Sequence, residues 1–487
     1  MNSSNKADHA PVTKARFYAI MVVLMLTEIL GSLGHTMVIT ALGTVAKDVG
    51  GITNATWLIT AFALSGAATA AIGGRLGDMF GRRLVLTVII GLMGIGSLIS
   101  VLSHDLMWII VGRVFQGVAG AVLPLCYGIT REVAAPGKAP VWIGLLTGAY
   151  SFSSAIGYIL GGHYADIGEW RGIFWLTTIA AALLVAPIYL IVPAPKVSRP
   201  GRFDFIGAIL FAPAVAAILY GITASKERGW HDSLVLGCVG MGVLMLVVWW
   251  FHELRDSDPL IDVRLLRRRQ IWVGNVCGAL SSIGMMQLPV VALLLLQQPR
   301  MAGIGLAVTG YMAGILKLPS NVASLFAAPV SGWISQQNRG REAMIWGALV
   351  GVAGWGWLYF LHDTVMEVVI GTCICAFGSS MLLASIPNLV LEGTPPDRSS
   401  EVTGLTGVVR SMFSGIGAQT MALLLATSQM IQPGTGRKLP SEAAYKTTFL
   451  FIVIVSAAIA ILCILVKPRR AQDADIASKQ VQPVAGE

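Results

Sequence analysis

The sequence predicts an all-α integral membrane protein with about fourteen transmembrane helices. Of its 487 residues, 55% are hydrophobic and only 12% are charged, whereas soluble domains carry about 25% charged residues. The mean hydropathy is +0.73, and apolar windows long enough to cross the hydrocarbon recur along the chain. This composition excludes a soluble globular enzyme, a disordered chain and a secreted disulfide scaffold.

Fourteen windows of about twenty apolar residues are long enough to span a bilayer as helices. They are centred in residues 17–42, 54–73, 84–103, 107–130, 140–162, 171–193, 204–223, 233–251, 270–296, 305–333, 343–361, 366–391, 402–426 and 446–466. The loops between them are too short to hold a folded catalytic domain. Any activity must therefore lie between the helices.

The distribution of lysine and arginine predicts the orientation of the chain. With the N-terminus inside, about 23 of the 34 fall on cytoplasmic segments, about 8 outside and about 3 within spans. We therefore expect both termini in the cytoplasm and a location in the inner (cytoplasmic) membrane of the cell. The same bias explains the net charge of +9 without a nucleic-acid partner.

No cofactor, metal ion or enzymatic activity is predicted. The six cysteines fall in apolar stretches, where they are expected to be buried thiols. Cysteine and histidine show no metal-ligand spacing, and the sequence contains no Walker A, G-x-S-x-G or H-E-x-x-H motif.

An internal repeat predicts the domain organisation. Residues Gly74–Arg83 follow the second span, and a degraded copy, Gly332–Arg341, follows the tenth. Two six-helix halves with two additional central helices fit this spacing, and such repeats place a substrate site at their interface. The expected units are an N-terminal tail (1–16), an N-terminal half (17–195), two extra helices with a basic linker (196–269), a C-terminal half (270–466) and a disordered tail (467–487).

Short motifs carry a family resemblance over nearly the whole chain. Gly74–Arg83 reads GRLGDMFGRR, 113–117 reads RVFQG and 170–174 reads WRGIF. Together they resemble the major facilitator superfamily, and specifically its fourteen-helix drug:proton antiporter branch. The resemblance implies a major facilitator fold and a secondary transporter that exports small amphipathic compounds, neutral or anionic, by proton-coupled alternating access. We expect a monomer whose partners are a small-molecule substrate and the lipid bilayer.

The first motif predicts a conformational loop. Gly74 lets helices approach closely, and Gly81 suits a tight turn. Arg82 and Arg83 are expected in water or paired with Asp78. The resemblance implies that Asp78 latches onto the opposite half, at the N-terminus of the thirteenth helix, and favours one facing state. The alternative is a solvated basic turn.

Two motifs of the antiporter branch are altered. The L-D-x-T element of the first helix reads Leu33-Gly34-His35-Thr36 and lacks its acid. The fifth-helix motif G-P-x-x-G-G reads GYILGG over 157–162 and lacks its proline. These changes keep a second function open, that of an organic-anion or metabolite permease working in the import direction.

Three ionisable residues within predicted spans are candidates for proton coupling. Glu28 lies in the first span, and His35, two turns later, shares its face. Glu28 is the candidate proton carrier in place of the missing aspartate; the alternative is a structural pair with Arg113. The resemblance implies that Arg113 ties helix four to helix one, and a purely architectural role is the other possibility.

Lys317 and several polar residues are candidates for the substrate cavity. Lys317 lies too deep in the tenth helix for its ammonium to reach a surface easily, and Pro319 predicts a bend nearby. Its charge favours an anionic or carboxylate-bearing substrate, or a pair with Glu28; a purely structural partner is the alternative. Arg410 either lines the inner mouth or caps carbonyls. Lone polar residues commonly join helices, but five are further candidates: Asn275, Gln287, Asn321, Asn388 and Gln419.

Overall fold

The protein is almost entirely helical. The computed structural model describes residues 13–49, 51–193, 203–256, 259–300, 305–308, 310–336, 339–431 and 438–465. The α-helices are Lys14–Thr40, Leu42–Asp48, Ile52–Phe80, Arg82–Leu102, Leu106–Gly117, Val122–Val133, Ala139–Asp166, Gly172–Ile191, Phe205–Arg228, Ser233–Arg255, Arg269–Ile283, Leu288–Gln297, Gly310–Leu316, Leu318–Ile334, Gly340–Phe360, Val365–Glu392, Ser399–Ala426 and Glu442–Leu465. The predicted tail 467–487 and most of the predicted tail 1–16 lie outside the described residues.

Fourteen segments of the described chain are long and apolar enough to cross a membrane, which confirms the predicted number. We number them as spans 1 to 14: Lys14–Thr40, Trp57–Phe80, Arg82–Leu102, Leu106–Val133, Ala139–Asp166, Gly172–Ile191, Phe205–Ser225, Ser233–Arg255, Arg269–Gln297, Met312–Ile334, Gly340–Phe360, Val365–Glu392, Pro396–Ala426 and Glu442–Ile464. Because fourteen is even, span 1 begins on the face where span 14 ends. We call this face the terminal face.

Three spans contain breaks in their α-helix. Span 4 passes through a 3-10 turn at Val118–Ala121, and span 9 through Met285–Gln287. Span 10 is interrupted at Lys317, and Pro319 lies in the first turn of the helix that follows. Proline is tolerated there because the first N–H groups of a helix have no intrahelical acceptor.

Four apolar clusters form the core. One lies in spans 9 to 14 and the short segments beside them. Two others lie almost entirely in spans 1 to 6. The fourth brings Ala70 of span 2 and Leu405 of span 13 together with Phe211 of span 7 and Trp249 of span 8. Span 7 therefore packs against both groups of six spans, and span 8 packs on span 7.

Short elements complete the described fold. The strands Gln429–Ile431 and Lys438–Pro440 pair antiparallel, with Met430 opposite Leu439, between spans 13 and 14. The six cysteines are free thiols; four are buried, as predicted, whereas Cys238 and Cys373 are half-buried.

Candidate functional site

The end of span 2 meets the start of span 13 on the terminal face. Asp78 Oδ2 accepts a 2.9 Å hydrogen bond from the backbone N–H of Glu401, in the first turn of span 13, where free N–H groups favour a carboxylate. Gly74 allows this approach, since a Cβ there would lie only 2.7 Å from the carbonyl carbon of Ser400. The contact predicted from the loop motif is therefore present.

Arg82 is buried in this contact rather than solvated. Its Nη2 lies 2.7 Å from Asp78 Oδ1 and donates to the carbonyl of Pro396 at 3.1 Å, while Nη1 forms an ion pair with Glu132. Of the two expected environments for Arg82, water and a pair with Asp78, the structure shows the pair. Arg82 thus links span 2 to the first residues of span 13.

The neighbouring Gly81 and Arg83 complete the loop. Gly81 has a φ of 96°, a conformation that glycine adopts without the steric cost of a side chain. Arg83 Nη1 donates to the carbonyl of Tyr189 at 3.2 Å, and its guanidinium lies 4.7 Å from the centre of the Tyr189 ring. Arg83 therefore connects the loop to span 6 and not to Asp78.

The linker after span 8 joins the same contact. The backbone N–H of Asp262 donates to Glu401 Oε1 at 2.8 Å, and the Asp262 carboxylate forms an ion pair with Arg398. Glu401 Oε2 also lies 3.5 Å from Arg75 Nη1. We call these five residues, Arg75, Asp78, Asp262, Arg398 and Glu401, the latch. Sequence reasoning singled out Asp78 alone, because Asp262 and Glu401 are distant in the chain and belong to no shared motif.

Two further polar connections close the terminal face between spans 1 to 6 and spans 9 to 14. Arg131 donates to Ser399 Oγ at 2.8 Å and to the carbonyl of Thr394 at 3.0 Å. Asn388, a cavity candidate, donates to the carbonyl of Pro140 at 3.4 Å. Asn388 thus serves here as a helix contact on the closed face.

Glu28 lies deep in span 1 without an ion pair in the described part of the chain. It is 3% exposed, and its Oε2 has no hydrogen-bond partner there. It lies within electrostatic range of Cys126 and Tyr127 of span 4 and of Tyr150 of span 5. The pair with Arg113 is not formed among the described residues, where Arg113 donates to Leu58 and Gln116 instead.

Arg113 and His35 meet through an aromatic ring instead. Arg113 Nε donates to the carbonyl of Leu58 at 2.8 Å and Nη1 to Gln116 Oε1 at 2.6 Å. Its guanidinium lies 4.5 Å from the centre of the Phe62 ring, and His35 stacks on the same ring at 4.9 Å. The hydrogen-bonded tie thus runs from span 4 to span 2, not to span 1 as expected, because span 2 supplies the carbonyl and ring that face Arg113.

Lys317 lies at the break in span 10 and points toward span 5. It is 7% exposed, and its Nζ lies 5.2 Å from the centre of the Tyr158 ring, a cation–π contact. Asn321 lies one turn further along the same face and is half-buried. Within the described ranges, Lys317 and Glu28 form no ion pair.

Arg410 of span 13 shares its electrostatic environment with Glu28. Its Nε is buried and has no hydrogen-bond partner among the described residues. Its charge acts on the hydroxyls of Tyr127 and Tyr150, the two tyrosines that Glu28 also affects. Glu28 of span 1 and Arg410 of span 13 therefore lie within electrostatic range of the same two tyrosines.

We call Glu28, Tyr127, Tyr150, Tyr158, Lys317 and Arg410 the central site. Tyr127 donates to or accepts from Thr147 Oγ1 at 2.8 Å, and Tyr150 is 37% exposed although it lies mid-span. Sequence reasoning missed the three tyrosines. Their signal was a phenol hydroxyl within an otherwise apolar window, which is a weak indication by itself.

The remaining polar candidates lie outside the central site. Gln287 donates to the carbonyls of Ser282 and Ser414, and Gln419 donates to that of Ile222, so both join spans. Asn275 Oδ1 is buried without a partner in the described residues. It lines a separate, largely apolar cavity of about 670 Å³ between spans 8, 9 and 13.

One group of described side chains is placed to hold a metal ion, although none was expected from the sequence. It consists of Asp204, His252 and Asp256, at the terminal-face ends of spans 7 and 8. The separation of 48 positions between Asp204 and His252 hides this group from any spacing rule.

Comparison with known proteins places this architecture in a family. The profile of the Major Facilitator Superfamily matches residues 24–418 and, in a second match, 322–486. The chain is 27% identical over 425 residues to the puromycin resistance protein pur8 of Streptomyces alboniger, covering 84% of this chain and 81% of that one. It is 24% identical over 418 residues to the multidrug export protein EmrB of Escherichia coli K12, covering 84% and 80%.

A solved structure shares the fold. The human organic anion transporter MFSD10 (TETRAN) superposes with a TM-score of 0.62 at 13% identity, over 92% of this chain and 99% of that one. The family match covers far more than half of the sequence, and the relatives agree with the resemblance carried by the motifs. The chain therefore belongs to the Major Facilitator Superfamily and is a multi-pass membrane transporter.

Proposed function

We propose that the protein exports small amphipathic molecules, neutral or anionic, from the cytoplasm in exchange for protons. The names of two relatives, a puromycin resistance protein and a multidrug export protein, support export. The lysine and arginine bias of the loops supports a cytoplasmic terminal face in the cell membrane. Alternating access is the mechanism that two packed groups of six spans around a central site support.

The observation that carries this proposal is the shared environment of Glu28 and Arg410. These residues come from spans 1 and 13, which belong to different groups of six spans, yet both lie within electrostatic range of Tyr127 and Tyr150. A molecule bound between them touches both groups of six spans, so its binding depends on their relative position. This dependence is what couples a substrate to alternating access.

The charges of the central site support the substrate class. Lys317 and Arg410 supply two cations, whereas Glu28 supplies the one carboxylate among the six residues of the site. An anionic substrate gains favourable interactions with both cations in a site of low dielectric constant. A substrate with a permanent positive charge is repelled by both Lys317 and Arg410. We therefore assign neutral and anionic amphiphiles, rather than cationic drugs, to this site.

Glu28 supports the proton coupling. Its Oε2 is buried and has no hydrogen-bond partner in the described part of the chain, so the carboxylate is free to bind a proton without breaking another contact. When the opposite facing state exposes it to the cytoplasm, the proton leaves and the substrate enters. The latch holds the present state, in which the terminal face is closed, and must open to complete the cycle.

The experiment is transport into proteoliposomes with an imposed pH gradient. The purified parent protein is offered a panel of cationic, neutral and carboxylate-bearing dyes. We expect gradient-driven movement of neutral and anionic dyes, and Glu28→Gln should abolish the response to the gradient while keeping substrate exchange. The exposed Glu169→Gln is the matched control and should behave like the parent. Unchanged coupling in Glu28→Gln, or transport restricted to cations, would contradict the proposal.

Import of an organic anion is the second candidate. It is favoured by the missing acid of Leu33-Gly34-His35-Thr36 and by the two cations of the central site. Accumulation of a labelled anion in right-side-out vesicles, with and without a protonophore, separates the two. Export predicts that the protonophore raises the internal level of the anion, and proton-driven import predicts that it lowers it.

A further inference from the structure

We propose that spans 7 and 8 hold a divalent transition-metal ion, of the class of Zn²⁺ or Mn²⁺, between Asp204, His252 and Asp256, with the buried Glu253 beside them. This inference is independent of the transported substrate. Asp204 precedes span 7, and the other three residues lie in or just after the last turn of span 8. The site is therefore built where two antiparallel helices end side by side on the terminal face.

The spacing of the ligand atoms fits one ion. His252 Nε2 lies 3.0 Å from both carboxylate oxygens of Asp204 and 3.8 Å from Asp256 Oδ2. One ligand atom from each of the three residues lies within 4.8 Å of the other two. Bonds of about 2.0 to 2.2 Å to a common ion place neighbouring ligand atoms roughly 3 to 4 Å apart. His252 and Asp256 also share a helix face, one turn apart.

Glu253 provides a second, independent observation. It is 1% exposed, and its Oε1 has no hydrogen-bond partner among the described residues. A Cβ added at Gly207 would lie 2.7 Å from this oxygen and 2.9 Å from Asp204 Cγ, so the two carboxylates converge above the glycine. The indole N–H of Trp249 lies near the Glu253 carboxylate, but no hydrogen bond of normal geometry joins the two groups.

The charge of the group calls for a cation. Asp204 and Glu253 are both buried; Asp204 pairs with His252, and in the described ranges neither carboxylate forms an ion pair with lysine or arginine. Two converging carboxylates in a site of low dielectric constant repel each other and lose hydration. A divalent ion removes both costs. One imidazole with two carboxylates, and a third carboxylate beside them, is a donor set that suits Zn²⁺ or Mn²⁺.

The site is connected to the latch through the linker. Glu253 Oε2 accepts a hydrogen bond from the backbone N–H of Ile261 at 3.3 Å, and the next residue, Asp262, donates to Glu401. An ion that fixes Glu253 therefore fixes the segment that meets span 13. We infer that metal binding stabilises the closed terminal face.

The test is metal binding to the full-length protein, purified with a tag that contains no histidine and stripped with EDTA. Equilibrium dialysis against ZnCl₂ or MnCl₂, read by elemental analysis, should give one ion per chain. His252→Ala should weaken binding more than about tenfold, since even residues that only support ligands cost that much. The exposed His231→Ala, in the loop between spans 7 and 8, is the matched control and should bind like the parent.

A second measurement guards against misfolding. Zn²⁺ should raise the thermal unfolding temperature of the parent, and it should raise that of Asp256→Asn by less. The metal-free His252→Ala should unfold at the same temperature as the metal-free parent, but Zn²⁺ should not shift its unfolding temperature. Stoichiometric binding that is insensitive to His252→Ala, or no binding to the parent, means that Asp204 and His252 form an ordinary hydrogen-bonded pair, and the proposal fails.

Discussion

The carboxylate of Asp78 accepts a hydrogen bond from the backbone N–H of Glu401, a residue 323 positions further along the chain. The side chain of the same glutamate accepts from the backbone N–H of Asp262 and lies 3.5 Å from Arg75. The first turn of span 13 thus holds both span 2 and the linker after span 8. These contacts must separate together when the terminal face opens.

Asp78→Asn should shift the protein toward a state open on the terminal face. The substitution keeps the shape of the side chain but removes its charge, and a hydrogen bond to a charged group contributes about 1.5–3 kcal/mol. The ratio of open to closed molecules should rise roughly ten- to a hundredfold. Fluorophores attached at the exposed positions 138 and 339 on this face report the change as a longer distance.

Asp105→Asn is the matched control for that measurement. Asp105 also caps a helix, since it accepts from the backbone N–H of Met107 at 2.7 Å, but it touches only its own span. The Asp105→Asn variant should give the same distribution of distances between the two fluorophores as the parent. A closed-state distance in Asp78→Asn would show that the latch does not set the facing state.

Gly74→Ala should open the same face without any change of charge. A Cβ at this position would lie 2.7 Å from the carbonyl carbon of Ser400 and 3.2 Å from the nitrogen of Glu401, so spans 2 and 13 must separate. The same fluorophore pair measures the separation, and transport should fall because the closed state is disfavoured.

Gly91→Ala tests whether such an effect is specific to the interface. No heavy atom lies within 4 Å of a Cβ built at Gly91, and alanine favours a helix over glycine by about 1 kcal/mol. This variant should keep parental distances and unfold at an equal or higher temperature. Equal behaviour of the two alanine variants would remove the steric argument for the latch.

The number of spans was predictable because it depends on local sequence, whereas the contact of Asp78 across 323 positions was expected only from the family resemblance of its motif. Apolar windows fix the spans, and the GRLGDMFGRR motif places Asp78 at the end of one of them. The involvement of Asp262 was not predictable. It depends on a pairing across 139 residues, from Asp262 to Glu401, which no periodicity encodes.

The central site was predictable only in part for a different reason. Helical spacing shows that Glu28 and His35 share a face, but it does not show which neighbouring helix that face meets. The rotation of spans 1, 2 and 4 places Phe62 between His35 and Arg113. Such rotations follow from packing across the whole bundle.

Arg113→Ala should lower both stability and proton-driven transport. Its guanidinium is fully buried and donates to Leu58 and Gln116, so truncation leaves buried acceptors unbonded at about 1–3 kcal/mol. It also removes the cation that lies against the Phe62 ring, on which His35 stacks. We expect at least a tenfold loss of gradient-driven transport and a lower thermal unfolding temperature.

Arg113→Lys and the exposed Arg16→Ala complete that series. The lysine keeps the charge but lacks the planar fork that reaches both acceptors, so it should recover part of the transport and little of the stability. Arg16→Ala should match the parent in both measurements. Parental transport in Arg113→Ala would leave this arginine without a role in the cycle.

Lys317→Ala should change the charge preference of transport rather than transport itself. The ammonium is buried, with Tyr158 as its cation–π partner, and a charge pair at about 4 Å contributes roughly 4 kcal/mol at an effective dielectric constant of about 20. We expect the rate for a carboxylate-bearing dye to fall more than about tenfold and the rate for its neutral methyl ester to change less than about threefold. Lys317→Arg should restore the anion, and the exposed Lys138→Ala should resemble the parent. Because the two dyes share one scaffold, an equal loss for both would indicate a structural role for Lys317, and no loss for the anion would remove it from the substrate site.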